Sequence, residues 1–140
     1  MYAAILRRIL ERAIAAGRAG DIEPLLRNYA DDVEFHFHGN NSWATHTTGK
    51  AAVEAWLRRF AKVGLQVHPE EIVVKGPPWN TRAYIRFNDH LDAPGGERVY
   101  ENRGVIFGRA RWGKVTYYEV FEDTEKVAAL DDWLSVNEPR

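Results

Sequence analysis

The spacing of apolar positions changes along the chain, and each change marks an element. Leu6, Ile9, Leu10, Ala13 and Ile14 recur every three or four residues, with Arg7, Arg8, Glu11 and Arg12 between them. That period draws one apolar stripe along a helix. Gly17 and Gly20 end it, because glycine accepts the left-handed turn that closes a helix. Asp21 is placed to cap a second, short helix with Pro24 in its first turn and Leu25, Leu26 and Tyr29 on its apolar side. From Val33 to His38 the period becomes two: Val33, Phe35 and Phe37 point one way, Glu34, His36 and His38 the other. Gly39 to Gly49 reads as a polar loop holding Trp43 and Ala44. A helix follows from Lys50 to about Val63, with Val53, Trp56, Leu57 and Phe60 as its stripe.

Beyond Gly64 the pattern predicts strands over Val67–Lys75, Thr81–Leu91, Arg98–Arg109 and Val115–Phe121. Gly76, Pro77 and Pro78 break the first from the second, Pro94, Gly95 and Gly96 turn the second into the third, and Trp112, Gly113 and Lys114 make a tight turn into the fourth. Asp123 or Thr124 caps a final helix ending near Leu134. Helices gathered early and antiparallel strands late indicate an α+β protein, not an alternating parallel sheet. The 140 residues fit one domain.

Composition narrows the function classes. Lys plus Arg number 19 and Asp plus Glu 20, giving a net charge of −1. A dedicated nucleic-acid binder is usually clearly basic, and an anionic membrane surface attracts basic clusters; neither partner is expected. The absence of cysteine excludes disulfides, thiolate catalysis and Cys-ligated zinc. No apolar run approaches the roughly 20 residues that cross a bilayer, and the charges within the first apolar pattern leave no signal-peptide core. The expected location is cytoplasmic. There is no G-x-S-x-G, P-loop or H-E-x-x-H motif.

Several short segments, taken in order, carry a resemblance. They are Gly20-Asp21-Ile22 through Tyr29-Ala30-Asp31-Asp32-Val33, Gly49-Lys50-Ala51-Ala52-Val53, Tyr100-Glu101-Asn102-Arg103-Gly104-Val105, Trp112-Gly113-Lys114-Val115 and Phe121-Glu122-Asp123-Thr124. Together they span nearly the whole chain, which resembles the SnoaL-like proteins of the nuclear-transport-factor-2-like superfamily. The resemblance implies a cone-shaped α+β barrel: a curved, mostly antiparallel sheet wrapped around N-terminal helices, with a short C-terminal helix and a deep apolar pocket. It also implies a homodimer paired through the outer sheet face. Members include ketosteroid isomerases, limonene-epoxide hydrolases, polyketide cyclases and scytalone dehydratases, alongside proteins that only bind, so the site must decide the function.

The residues do not reproduce the two best-known chemistries of the superfamily. A ketosteroid-isomerase-like site needs a carboxylate base, a tyrosine and a protonated acid; by position these fall on Phe37, Ala13 and Val105 or Ile106. An epoxide-hydrolase-like site needs an Arg between two Asp; those positions fall near Ala83 and Ile85 and on Val120, with Phe35 and Phe37 where water-holding groups belong. The pocket expected instead is apolar with a few polar groups, the usual form of a small-molecule site. The resemblance and strand alternation assign Phe35, Phe37, Phe60, Ile85, Phe87, Ile106 and Val120 to its walls, and Tyr100, Asn102, Thr116 and Tyr118 as its polar members. Trp43 lies in the loop beside its mouth.

Asn102 is the most informative of these, since a mid-strand amide facing inward must find partners. It is either a satisfied core amide bonded to Tyr100 or Tyr118, or an anchor for a ligand oxygen. Asn102 and Tyr118 would orient or polarise an oxygen, and His46, on the loop, would handle a proton. Glu34, His36 and His38 form the one metal-like constellation, but on the face opposite Phe35 and Phe37, so the reading is a solvated or dimer-facing surface and no metal is expected; a metal site and a pH-sensitive histidine contact are the lesser alternatives. Glu122 reads as a solvent-facing carboxylate, with the pocket rim as the alternative, and His90, next to Asp89 and Asp92, as a salt-bridged strand end. No cofactor is called for. The expected function is binding of a small hydrophobic ligand, cyclic ones included, with or without an isomerase, cyclase or hydrolase step. The alternative is a non-catalytic binding or protein-interaction module of the same fold.

Overall fold

The computed structural model describes residues 1–140. Its elements run α1 (Tyr2–Arg18), α2 (Glu23–Arg27), β1 (Tyr29–Phe37), β2 (Thr45–Thr48), α3 (Lys50–Val63), β3 (Gln66–Lys75), β4 (Thr81–Asp92), β5 (Arg98–Arg111), β6 (Lys114–Glu122) and α4 (Thr124–Asn137). The strands form one curved sheet in the order β2-β1-β6-β5-β4-β3. It is open, with β2 and β3 as its edges. Every pairing is antiparallel except β1 with β6. The α+β architecture is the one the sequence indicates, with α4 a full 14-residue helix rather than a short one.

Two stretches depart from the sequence reading. Tyr29, expected on the apolar side of the short helix, instead opens β1, which starts four residues before Val33. Thr45–Thr48, within the expected polar loop, is a strand paired antiparallel to β1, with His36 opposite His46. An edge strand needs no apolar alternation, because its stability comes from the ladder to one neighbour, and the β-branched threonines suit an extended backbone.

Alternation along β1 buries Val33, Phe35 and Phe37. Tyr29, on the same parity, is buried as well. These side chains meet Val53 and Leu57 of α3, Ile85 and Phe87 of β4, and Val127, Leu130 and Leu134 of α4 in one core. Full burial of a Phe or Leu side chain contributes roughly 1.5–3 kcal/mol, so the inner row of β1 is a main anchor of the sheet. Gly64 ends α3 in the left-handed region, φ 94°, where a side chain would be strained. Trp112 and Gly113 both take positive φ, 53° and 80°, as a two-residue hairpin turn requires. Asp123 caps α4, its carboxylate accepting from the backbone N–H groups of Glu125 and Lys126. No helix is long and apolar enough to cross a membrane.

Candidate functional site

The same alternation that builds the core also turns polar side chains inward at one end of the sheet. Along β4 the buried row is Ile85, Phe87, Asp89 and Leu91; along β5 it includes Tyr100 and Asn102. On β6, Glu122 continues the inward row of Tyr118 and Val120. Register then gathers them, with Asp89 opposite Asn102 and Glu122 opposite Gly104. Asp89 and Asn102 are each 4% exposed. A carboxyl at that depth needs partners or a proton.

Glu122 holds the partners. Its Oε2 accepts from the Tyr100 hydroxyl at 2.8 Å and from the Asn102 amide at 2.9 Å. The same amide donates to the Asp123 carbonyl at 3.0 Å, and the Asn102 Oδ1 accepts from the Arg103 N–H at 2.8 Å. Asp89 has the proton. Burial first, and then the facing Glu122 carboxylate, push its pKa up from 3.8 to about 8. Its Oδ1 has no hydrogen-bond partner. Burial also raises Glu122, against the lowering effect of Tyr100, Asp89 and Asn102. Burial and the facing carboxylate thus both favour holding a proton within the pair, most strongly at Asp89. Two carboxyls that share a site cannot both ionise cheaply. Tyr100 is raised by burial and then by the charges of Asp89 and Glu122, so it stays a donor.

Gly104 makes room for this pair. A Cβ there would lie 2.2 Å from the Phe121 carbonyl oxygen, 2.8 Å from Glu122 Cγ and 2.9 Å from the Phe87 ring. Only a residue without a side chain lets β6 bring Glu122 alongside β5.

Two apolar cavities lie between the sheet and the helices, each about 120 Å³. One runs under α1, past Leu10, Ile85 and Ile106. The other runs between α1, α3 and the sheet, past Phe37, Trp56, Phe60, Phe87 and Val120, and it reaches Glu122. Ile14, Leu25, Tyr29, Ile106 and Tyr118 border both. A void of about 10 Å³ behind Glu122 is walled by Asp89, Tyr100, Trp43, Val127 and Leu130. Glu122 thus stands where the second of these cavities meets the carboxyl pair, with Asp89 behind it.

That end is closed by a latch. Arg59 lies 3.8 Å above the Trp43 ring, and its guanidinium donates to both Glu138 oxygens at 2.9 Å and to the Ser42 carbonyl at 3.1 Å. Ser42 in turn donates to Asp131 through its N–H and its hydroxyl, each at 2.6 Å. The loop before β2 is thereby tied to α3 and α4.

Of the wall residues read from the sequence, Phe37, Phe60, Ile85, Phe87, Ile106 and Val120 line the cavities, and Trp43 and Tyr100 line the void at the carboxyl end. Phe35 is fully buried against Trp56 and Tyr118, behind the cavity walls. Thr116 borders none of these three cavities and donates to the Arg109 carbonyl at 3.4 Å. The three residues read as catalytic do not converge. Asn102 is the satisfied amide of the two alternatives, bonded to Tyr100 at 2.9 Å as well as to Glu122. Tyr118 borders both cavities, stacked on Tyr29 and Phe35, with its hydroxyl unpaired. His46 is on β2 and bonds Glu34 at 2.5 Å on the outer face, away from the pocket. Asp89 and Glu122 were passed over as a surface ion pair and a solvated carboxylate. The signal for both was the alternation itself, since each falls on the inner parity of its strand.

The SnoaL-like domain family model matches residues 10–118. None of the curated proteins matches the chain at the sequence level. Among solved structures, an NTF2-like protein from Burkholderia xenovorans is 22% identical, covering 92% of this chain and 97% of its own, with a TM-score of 0.71. TerC, co-crystallised with polyporic acid, is 22% identical over 86% of this chain and 92% of its own, TM-score 0.70. SalBIII, an epoxide hydrolase/cyclase-like enzyme with a role in pyran-ring formation in the polyether salinomycin, is 12% identical over 88% and 94%, TM-score 0.70. At these identities the likeness is one of fold. The match over most of the sequence makes this chain a member of the SnoaL-like domain family.

Proposed function

We propose that the protein binds a small, largely hydrophobic molecule in the cavity below α1 and α3 and moves a proton on it with the Asp89–Glu122 pair. The reaction class is an isomerase, cyclase or hydrolase step. The observation that carries this reading is the buried Asp89, its pKa pushed up by burial and by the facing Glu122, at the end of an apolar cavity that Glu122 borders. An acid whose pKa sits near the working pH is suited to general acid–base catalysis. Glu122 is the group that meets the substrate, because it borders the cavity. Asp89 stores the proton behind it, and Tyr100 and Asn102 hold the Glu122 carboxylate in place. A proton taken from one substrate position is returned to another through the same pair, so no external acid or base is required. The structural neighbour TerC was co-crystallised with polyporic acid and SalBIII has a role in pyran-ring formation, which supports a small organic ligand here.

The test is a thermal-shift screen with steroids, terpenoid epoxides and polyketide-like aromatics, followed by turnover assays on the class that binds. A ligand at 100 times its dissociation constant adds about 2.7 kcal/mol to the native state, a melting-point rise of several degrees. Glu122→Gln is expected to keep that rise and abolish turnover. Turnover that survives Glu122→Gln would refute the assignment of the pair.

One observation favours the second reading, a non-catalytic module. The two cavities, separated by Tyr29 and Tyr118, are each about 120 Å³, below the roughly 300 Å³ of a typical ligand site. On that reading no ligand class shifts the melting point.

A further inference from the structure

On the opposite face of the sheet, two neighbouring strands place a second cluster that the pocket does not use. His36 and His38 are two residues apart on β1, so alternation points both outward. Glu119 of β6 is level with His36 in the parallel β1–β6 register. The Glu119 Oε2 lies 2.5 Å from His38 Nε2 and 3.5 Å from His36 Nδ1, and the two imidazoles are 3.8 Å apart. The ligating atoms of all three residues lie within 4.8 Å of one another.

We infer that His36, His38 and Glu119 form a binding site for a zinc-type divalent cation on the outer face of the sheet. Zinc takes imidazole and carboxylate ligands at about 2.0–2.2 Å in a tetrahedron, which puts neighbouring ligand atoms about 3.3 Å apart. The cluster reaches that spacing by side-chain rotation alone, because its backbone spacing is already set by the two strands. Two nitrogens and one oxygen select zinc and its neighbours over magnesium or calcium, which prefer oxygen. The three ligands leave a fourth position open towards solvent.

The surroundings support the assignment. The Tyr117 hydroxyl donates to the other Glu119 oxygen at 2.9 Å. That is the kind of outer hydrogen bond that orients a ligating carboxylate. His46 stacks on His36 at 4.3 Å and is itself engaged by Glu34 at 2.5 Å. Glu34 and Glu119 thus bring two negative charges to the patch, matching a dication. The protein's other histidine pair offers a contrast. His68 and His90 stack at 5.3 Å, but the nearest carboxylate, Asp92, is 3.8 Å from His90 and is taken by Arg98.

The experiment is calorimetric titration of the chelator-stripped full chain with zinc chloride at pH 7.5. The expected result is one zinc per chain, with affinity falling at least tenfold in His38→Ala and in Glu119→Gln. His68→Asn/His90→Asn is expected to bind as the parent does, which separates the site from general histidine affinity. These are partly exposed surface residues, and circular dichroism of each variant checks that it folds. The inference is overturned if the parent shows no saturable binding below millimolar zinc. It is overturned equally if binding survives Glu119→Gln but is lost in Glu34→Gln, or is lost only in the His68/His90 variant. None of these outcomes depends on the chemistry of the pocket.

Discussion

Replacing Asp89 with Asn isolates the cost of the buried acid. The folded protein holds the Asp89 proton up to about pH 8, whereas the unfolded chain releases it near 3.8. Between those values the native state binds more protons than the unfolded state, so stability falls as the pH rises. One pH unit corresponds to about 1.4 kcal/mol, so the accumulated loss at pH 7 is on the order of 4 kcal/mol. It is complete above pH 8, where both states have released the proton. Asparagine has nearly the same shape, cannot ionise and can still donate to Glu122. Its stability curve therefore lacks this decline. Urea denaturation of both proteins from pH 4 to pH 9 is the assay. The two should agree to within about 1 kcal/mol near pH 4 and diverge steadily towards pH 8, the variant becoming the more stable. A difference that stays flat with pH would mean that Asp89 titrates as an ordinary carboxylate, and the reasoning about the pair would fail with it. A site that weakens its own protein in this way is what a stability–activity trade-off looks like.

Two further substitutions test the packing around the site. Gly104→Ala drives a Cβ to 2.2 Å from the Phe121 carbonyl, and should cost about 1–3 kcal/mol or more as β6 moves away; an unchanged denaturation midpoint would show that the close approach is not needed. Tyr118→Phe removes a hydroxyl that has no protein partner, so stability should hold within about 1 kcal/mol or rise; a loss of 2 kcal/mol or more would show that the hydroxyl is bonded after all.

Much of the architecture was legible because it rests on local period. The apolar stripe of α3 predicts Lys50–Val63, the span observed. The strands from β3 onward differ from expectation by one or two residues at their ends. β2 was not legible, since Thr45-His46-Thr47-Thr48 carries no apolar alternation and becomes a strand only because β1 offers it a ladder. The site was half legible. Alternation alone puts Asp89 beside Phe87 on the inner face of β4. That Glu122 faces it depends on register across β5, which no local pattern reveals. The outer cluster shows the same limit. Glu34, His36 and His38 share a strand face in the sequence, but the carboxylate that meets both histidines is Glu119, brought in by the parallel pairing of β6. His46, read as a pocket-side base, faces the other way because β2 continues the alternation of the sheet.

The latch at Trp43 and the helix at the other end of the cavity are joined to the protein by different kinds of bond. Arg59, Ser42 and Asp131 knit the carboxyl end together with directional contacts. In α1, no side chain before Arg18 makes a hydrogen bond or ion pair to another element; the first tie is from Arg18 to the Val67 carbonyl at 2.9 Å. Greasy contact does not care about angle. A helix moored at one end and resting on oil along the rest of its length can tilt about that mooring without stranding a single polar group. The space under it can therefore widen without breaking a polar contact, while the carboxyl end stays tied.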